Sequence, residues 1–308
     1  MRRPLRLFTT TAGLSLLVAC TATGHSASPV ASGPDLTVVA PSEAMAPLPE
    51  VRPATPAPTF YGLAAREREA TSQAAAAGAD ITAAVLDRKT GQLVTNGNGM
   101  PIAIASVVKL FIADDLLLQV AQGRTTLTPE DRKSLDVMLR SSDDSAAEVF
   151  WNRSGGSVIV DRIVKRYGLQ STSRPSNGRW FNTISTAADL VRYYDMLLSG
   201  AGGLPSEQVN IILSDLAAST PTAPDGMVPG GIYPQRFGIP EGLFAERVAV
   251  KQGWMCCVGA DWMHLSTGVV GPNRRYVMVI GSMQATGDDA ARQTITDAVK
   301  TMFPAGKI

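Results

Sequence analysis

Histidine and cysteine are scarce in this sequence, which restricts the catalytic and metal sites that it can build. The chain has two histidines and three cysteines. No G-x-S-x-G motif is present, and His25 lies in a proline-rich stretch, so a Ser-His-Asp hydrolase would depend on His264, and a lone histidine on an apolar strand is more often structural. Cys256, Cys257 and His264 lack the ordinary spacing of zinc ligands. Neither a metal nor a cofactor is therefore expected.

An excess of charge and long apolar segments are also missing. The net charge is +1 at pH 7 and no basic stripe is present, so a nucleic-acid partner is not expected. No segment beyond the N-terminal region is apolar over the length that a membrane span needs. Cys256 and Cys257 are adjacent, and neighbouring side chains of a regular strand point to opposite faces, so free thiols are favoured over a disulfide between them.

The first twenty residues have the pattern of a secretory signal. Three arginines precede a short apolar run, Ala12 to Ala19, which is too short to span a bilayer and stops at Cys20. Leu17-Val18-Ala19-Cys20 resembles the lipobox of bacterial lipoproteins. That resemblance implies that residues 1–19 are a signal peptide and that Cys20 carries the lipid, a palmitate-type anchor that holds the chain on the extracytoplasmic face of the cell membrane. The alternative is an ordinary secretory signal that happens to contain a cysteine.

The next segment separates this anchor from a globular part. Residues 20–60 are rich in Pro, Ala and Ser, a composition that cannot bury enough apolar surface to fold, so they are predicted to form an extended tether. Residues 61–308 have a globular composition and are long enough for one sizeable fold with two lobes.

The globular part is predicted to contain strands, then helices, then strands. Helices are predicted over 63–76, 129–140, 144–153, 157–167, 186–199, 205–218 and 288–302, with a further one headed by Ser106. Strands are predicted over 81–87, 92–95, 246–251, 257–265 and 275–282. This order implies an α/β (α+β) fold in which an antiparallel sheet is flanked by the first and last helices. The sheet lobe would take about 61–104 and 220–308, and an inserted helical lobe about 105–219.

A possible nucleophile stands at the head of an apolar run. Ser106 and Lys109 are three residues apart, so they share one face of a helix. A serine hydroxyl needs a neighbour that takes its proton, and burial can bring the pKa of a lysine down towards neutrality. Ser106 is therefore a candidate nucleophile and Lys109 its base.

Two downstream motifs extend this pattern into a family resemblance. Ser142-Asp143-Asp144 stands where S-D-N would be expected, and Lys251-Gln252-Gly253 stands for K-T-G at the end of an apolar strand. With the S-x-x-K signal at Ser106, this order resembles the serine β-lactamases and penicillin-binding proteins, and most of all class A β-lactamases. The resemblance covers roughly residues 61 to 304.

The resemblance implies a role for each motif residue. The backbone N–H groups of Ser106 and Trp254 would stabilise an oxyanion. Ser142 would relay a proton to the leaving nitrogen, and Lys251 would keep the site positive and attract an anionic substrate. Asp144, Gln252, Gly253 and Trp254 would contact the substrate. The structural alternatives are Ser142 as a helix N-cap and Lys251 as a solvated strand end.

Departures from the family pattern limit the expected activity. Gln252 removes a hydroxyl that helps to bind a substrate carboxylate, and Asp144 replaces an amide donor with a charged acceptor that is expected to pair with Lys109. Residues 166–188, where class A enzymes carry the glutamate that activates the deacylating water, contain no Asp or Glu. Rapid β-lactam hydrolysis by that route is therefore not expected.

Two functions remain open on the sequence alone. One is a monomeric, envelope-anchored serine hydrolase that forms a Ser106 acyl-enzyme with peptidoglycan-like peptides, amides or esters. The other is a non-catalytic binding or scaffold lipoprotein that kept the fold and lost turnover.

Overall fold

The computed structural model describes residues 60–308, so Cys20, the predicted signal peptide and nearly all of the predicted tether lie outside it. The elements in chain order are α1 (Leu63–Ala76), β1 (Ala79–Asp87), β2 (Gln92–Thr95), β3 (Ile102–Ala103), α2 (Lys109–Ala121), α3 (Pro129–Arg140), α4 (Asp144–Arg153), α5 (Val158–Tyr167), β4 (Ile184–Ser185), α6 (Ala187–Ser199), α7 (Ser206–Ala217), β5 (Thr222–Pro224), β6 (Ile232–Pro234), α8 (Ile239–Gly242), β7 (Val248–Val258), β8 (Asp261–Val270), β9 (Tyr276–Gln284) and α9 (Asp288–Met302). Within this part of the chain, no helix combines the length and the apolar character that crossing a bilayer would require.

One five-stranded antiparallel sheet joins both ends of the described chain. Its strand order is β2-β1-β9-β8-β7, so the first strand pairs directly with the last. Helices α1 and α9 pack on one face over an apolar core that includes Leu63, Ile81, Met278 and Val299. The helices between β2 and β7 build a second core on the other face. The expected fold class, a sheet from both ends with an inserted helical lobe, is confirmed.

Helix α2 is buried on every side because α3, α4, α5 and α7 surround it. Two acids within it, Asp114 and Asp115, are buried as well, and each is paired. Asp115 accepts two hydrogen bonds from Arg162 at 2.6 and 2.7 Å, and Asp114 lies 2.8 Å from the Arg166 guanidinium. These pairs hold α2, and with it the segment before Lys109, inside the helical lobe.

Two sequence-based expectations differ from the structure near the site. The helix that was expected to start at Ser106 is a 3-10 turn over Ala105–Val108, and the α-helix begins at Lys109. Strand β7 continues to Val258, beyond the predicted end at 251, and β8 begins only at Asp261. The reason is a tight hairpin at Gly259 and Ala260, which the surrounding apolar residues concealed.

A buried ion pair between Asp87 and Arg275 joins the ends of two neighbouring strands of the sheet. Asp87, at the end of β1, is buried. It accepts hydrogen bonds at 2.8 and 2.5 Å from Arg275, the residue immediately before β9. Burial raises the pKa of Asp87, but hydrogen bonds from Arg275, the Lys89 N–H and Thr90, together with the charge of Arg275, more than offset this and lower that pKa below its usual value. A carboxyl group whose pKa is lower in the folded than in the unfolded chain stabilises the fold at pH values above the unfolded-chain pKa. This stabilisation is lost as the pH falls through the folded-chain pKa.

We therefore expect Arg275→Gln to lower the free energy of unfolding by about 2 kcal/mol at pH 7, because Asp87 would remain buried without its partner. The difference from wild type should shrink below about pH 4, where an unpaired carboxyl is protonated. Urea denaturation measures both. Arg174→Gln, which removes an exposed partner of Asp161, is the matched control and should cost less than about 0.5 kcal/mol. Equal losses from the two variants would contradict the assignment.

Candidate active site

Ser106 and Lys109 meet because the segment that carries them is a 3-10 turn. Three residues make one turn of such a helix, so side chains three apart lie directly above one another. The Lys109 Nζ lies 2.8 Å from the Ser106 Oγ. Ala105, just before the serine, has a left-handed backbone with φ of +42°, which turns the chain sharply into the helix. The predicted pairing of the two side chains is therefore present.

Lys109 is completely enclosed. Its side chain is 0% exposed, and its Nζ donates to the Ser106 Oγ, to the Ser142 carbonyl oxygen at 2.7 Å and to Asp144 Oδ1 at 2.5 Å. Burial lowers the pKa of Lys109, while the charge and hydrogen bond of Asp144 act in the opposite direction. The expected pairing of Asp144 with Lys109 is observed, although burial has the larger effect and the pKa of Lys109 lies below its usual value.

Ser142 lies between two lysines. Its Oγ is 3.2 Å from the Lys109 Nζ and 2.7 Å from the Lys251 Nζ. The alternative that Ser142 caps a helix is wrong, because Asp143 is the N-cap of α4 and accepts a hydrogen bond from the Ala146 N–H at 2.7 Å. Ser142 itself has a left-handed backbone with φ of +57°. Its side chain is consequently free to face the lysines rather than the helix.

Lys251 reaches the same hydroxyl from the sheet. The alternative of a solvated strand end is wrong, since Lys251 is buried and its Nζ also contacts the Gln252 carbonyl oxygen at 3.2 Å. Burial lowers the pKa of Lys251 well below its usual value, and the nearby charge of Lys109 lowers it further. Ser106, Lys109, Ser142 and Lys251 thus form one continuous cluster at the boundary of the sheet and the helical lobe.

Strand β7 can approach the Ser106 turn because residue 253 is a glycine. A Cβ atom at Gly253 would lie 2.6 Å from the Ile104 carbonyl oxygen. Only a residue without a side chain permits this close approach. The next residue, Trp254, lines the cavity in front of Ser106, whereas Gly253 does not. The proposed oxyanion-binding role of the Ser106 and Trp254 N–H groups stays a prediction.

Gln252 does not contact the cavity, contrary to the substrate-binding role that the resemblance implied. Its side chain is buried, and its Nε2 donates to the Phe237 carbonyl oxygen at 2.6 Å. The side chain points into the fold because this hydrogen bond fastens β7 to the segment before α8. The sequence comparison with K-T-G gave no indication of that partner.

A cavity of about 310 Å³ opens in front of Ser106. Sequence reasoning identified Ser106, Ser142, Asp144 and Trp254 among its walls but missed the rest. The missed lining residues include Trp180, Phe181, Asn182, Gly226 and Met227. The first three belong to residues 166–188, the segment singled out for its lack of acids.

The Trp180 indole fills the space beneath Lys109. The Lys109 Nζ lies 4.7 Å from the centre of the Trp180 ring, and the indole N–H donates to Glu148 at 3.0 Å. A cation over an indole face is stabilised electrostatically. The adjacent aromatic pair at 180 and 181, in a segment without carboxylates, was the available sequence signal for this wall.

The adjacent cysteines are joined, which corrects the expectation of free thiols. Cys256 and Cys257 form a vicinal disulfide across a cis peptide bond, with Cα atoms 2.9 Å apart. The expectation assumed a regular strand, but the pairing of β7 with β8 is irregular between Met255 and Val258. Side chains there do not alternate between faces. The disulfide lines the cavity.

His264 takes no part in the cluster. It is buried in β8 and bonded through Nε2 to the Tyr233 hydroxyl at 2.7 Å, and burial lowers its pKa to about 3. Within residues 60–308, no three His, Cys, Asp or Glu side chains lie together as a metal site would need.

Comparison with known proteins identifies relatives at two levels. No family model matches the chain. Over 260 residues it is 62% identical to the "Putative lipoprotein LppW" of Mycobacterium tuberculosis and of Mycobacterium bovis, which covers 84% of this chain and 81% of LppW. The chain belongs to the LppW family.

Solved structures share the fold at low identity. A β-lactamase from Sphaerobacter thermophilus superposes with a TM-score of 0.63 at 15% identity, over 79% of this chain and 97% of that one. PBP-A superposes with a TM-score of 0.63 at 16% identity, over 80% of this chain and 96% of PBP-A. One variant of PBP-A was solved as an acyl-enzyme complex with penicillin G. The LppW-family chain therefore has the β-lactamase and penicillin-binding-protein fold.

The ion pair between Lys109 and Asp144 yields a test of the site. In Asp144→Asn the main contribution that raises the pKa of Lys109 disappears, while the smaller one from Asp143 remains, so more of the amine is neutral at pH 7 and able to take a proton from Ser106. We expect a fluorophosphonate probe to label the variant at least about threefold faster, with the acid limb of the rate profile shifted to lower pH. Asp297→Asn, an equal change of charge on α9, should leave the rate unchanged.

A second variant perturbs the same pair without changing a charged group. A Cβ atom at Gly226 would lie within contact of the Asp144 carboxylate, so Gly226→Ala has to displace that carboxylate or the loop. It should change the labelling rate in the same direction as Asp144→Asn. Slower labelling of Asp144→Asn would instead mean that Asp144 accepts the proton of Lys109 before attack, which would reverse this assignment.

Proposed function

We propose that this chain is a cell-envelope lipoprotein whose domain is a serine hydrolase of the S-x-x-K type, forming an acyl-enzyme on Ser106. Its substrates would be peptidoglycan-like peptides, amides or esters. The observation that carries the proposal is the contact of the Ser106 hydroxyl with a fully buried lysine amine at the mouth of a cavity. The acyl-enzyme of the PBP-A variant, which has the same fold, supports the same chemistry.

The proposed acylation uses groups that are already in contact. With Lys109 neutral, its amine takes the proton of Ser106 while the Oγ attacks the substrate carbonyl. The resulting oxyanion would be stabilised by the backbone N–H groups of Ser106 and Trp254. As the tetrahedral intermediate collapses, the bond to the leaving group breaks, and Ser142 passes a proton from the neighbouring ammonium to that group. Ser106 then carries the acyl group as an ester.

Hydrolysis of that ester is expected to be slow. The wall that residues 166–188 contribute consists of Trp180, Phe181 and Asn182, and none of these can act as a base for water. Among the described residues that line the cavity, the one carboxylate belongs to Asp144, and it is already paired with Lys109. An acyl-enzyme should therefore accumulate.

We expect intact-mass spectrometry to detect a covalent adduct after incubation with a fluorophosphonate and, more slowly, with a fluorescent penicillin, which carries a carboxylate. Ser106→Ala should abolish both adducts. The adduct with the penicillin should persist for minutes, because the described lining residues offer no free base to activate water. For the same reason, a chromogenic cephalosporin should be hydrolysed far below an ordinary enzymatic rate of about 10 per second. An adduct retained in Ser106→Ala would place the nucleophile elsewhere. If neither probe forms an adduct, the non-catalytic scaffold is the better description.

The membrane anchor is the second part of the proposal. Cys20 lies outside the described residues, and its lipobox-like context and the lipoprotein name of the LppW relatives support acylation there. Cys20→Ser should release the protein from the membrane fraction and abolish incorporation of labelled palmitate. A variant that loses the label but still sediments with membranes would show that the chain is anchored elsewhere.

A further inference from the structure

The charged groups around the cavity are distributed unevenly. Among the described residues that line it, Asp144 is the one with a titratable side chain, and that side chain is 47% exposed. Lys109 and Lys251 are both buried behind Ser142 and do not line the cavity. A ligand that enters therefore meets a carboxylate before it meets a cation.

Much of the remaining wall is apolar. Phe181 is 36% exposed and Met227 is 49% exposed, and both face the cavity. Trp180, Met255 and the Cys256–Cys257 disulfide continue the same surface. When a ligand covers exposed apolar side chains of this kind, the free energy of the complex is lowered. The polarisable sulfur atoms also pack well against alkyl and aromatic groups.

From these two features we propose that the cavity binds the apolar, uncharged acyl group of an ester or amide and disfavours anionic substrates. The inference rests on the proposed acyl-enzyme, whose substrate class it narrows. Burial of the acyl group against Phe181 and Met227 supplies the affinity. Asp144 supplies the selectivity, because its carboxylate is the exposed half of the ion pair with the enclosed Lys109, and a substrate carboxylate entering the cavity would face that negative charge.

The same geometry argues against attraction of an anion by Lys251. Lys251 is enclosed, and both of its polar contacts are to groups within the fold. Burial and the neighbouring lysine also oppose its positive charge. The cation that was expected to attract an anionic substrate is thus shielded from one.

Ligand binding to Ser106→Ala protein tests this preference apart from catalysis. The probes are 6-phenylhexanol and 6-phenylhexanoate, which share an apolar part and differ in charge, and the readout is quenching of the tryptophans that line the cavity, Trp180 and Trp254. We expect the alcohol to bind at least about tenfold more tightly than the carboxylate at pH 7. Adding Asp144→Asn should reduce that ratio to threefold or less.

A matched pair of methionine variants tests the apolar wall. Met227→Ala, in the Ser106→Ala background, should weaken binding of the alcohol by roughly fivefold or more through lost apolar contact. Met100→Ala removes a methionine that is 58% exposed but does not line this cavity, and it should leave binding unchanged.

Several outcomes would overturn the inference: no binding of the alcohol, equal or tighter binding of the carboxylate, or equal losses from the two methionine variants. These results leave the proposed acyl-enzyme standing, since they are obtained without the nucleophile. Conversely, a wild-type protein that forms no adduct with any acylating probe would refute the proposed function whatever Ser106→Ala binds.

Discussion

Two lysine amines are buried against the hydroxyl of Ser142, and the chemistry of the cleft depends on how their charge is accommodated. Taking an ammonium out of water costs several kcal/mol unless a counterion and hydrogen bonds compensate. Lys109 has such a counterion in Asp144, whereas the two polar contacts of Lys251 are to a hydroxyl and a carbonyl. The surroundings therefore favour the charged form of Lys109 more than that of Lys251. Environments that separate the pKa values of neighbouring groups in this way are typical of sites that move protons.

The backbone around this cluster is shaped to bring three distant segments together. Ala105 and Ser142 both have left-handed conformations, which cost a residue with a side chain about 1–2 kcal/mol each. Gly253 lets the edge strand β7 come within contact of the Ile104 carbonyl. Ala105 is also part of the apolar core of the helical lobe. All three features lie at or near Ser106, Ser142 or Lys251 in the chain, so the strained backbone lies where the cluster is positioned.

Much of this arrangement could be predicted from the sequence, and the failures have physical causes. Helices 63–76, 129–140, 144–153 and 288–302 were predicted with their observed bounds, and side-chain caps at Thr128 and Asp143 mark the start of two of them. The hairpin at Gly259 was missed because apolar residues continue on both sides of it, and this error also hid the disulfide at its base. The wall formed by Trp180, Phe181 and Met227 was missed, because the adjacent aromatic residues at 180 and 181 do not by themselves indicate a cavity, and only the tertiary fold brings Met227 beside them. The inward position of Gln252 could not be predicted either, because its side chain donates to the backbone carbonyl of Phe237, which lies in another segment of the chain.

In the proposed catalytic cycle, the pairing of Asp144 with Lys109 would affect both acylation and deacylation. Acylation needs a neutral Lys109, yet the carboxylate favours the charged form. Deacylation needs a base beside the ester, yet the one carboxylate among the described lining residues is occupied by that same lysine. A single ion pair therefore opposes both steps, and neither step can be improved while the pair is intact. A substrate that separates Asp144 from Lys109 as it binds would relieve both restraints at once. The half-exposed Asp144, with Gly226 against it, is the ionisable group beside this cluster that an incoming ligand can contact directly from the cavity.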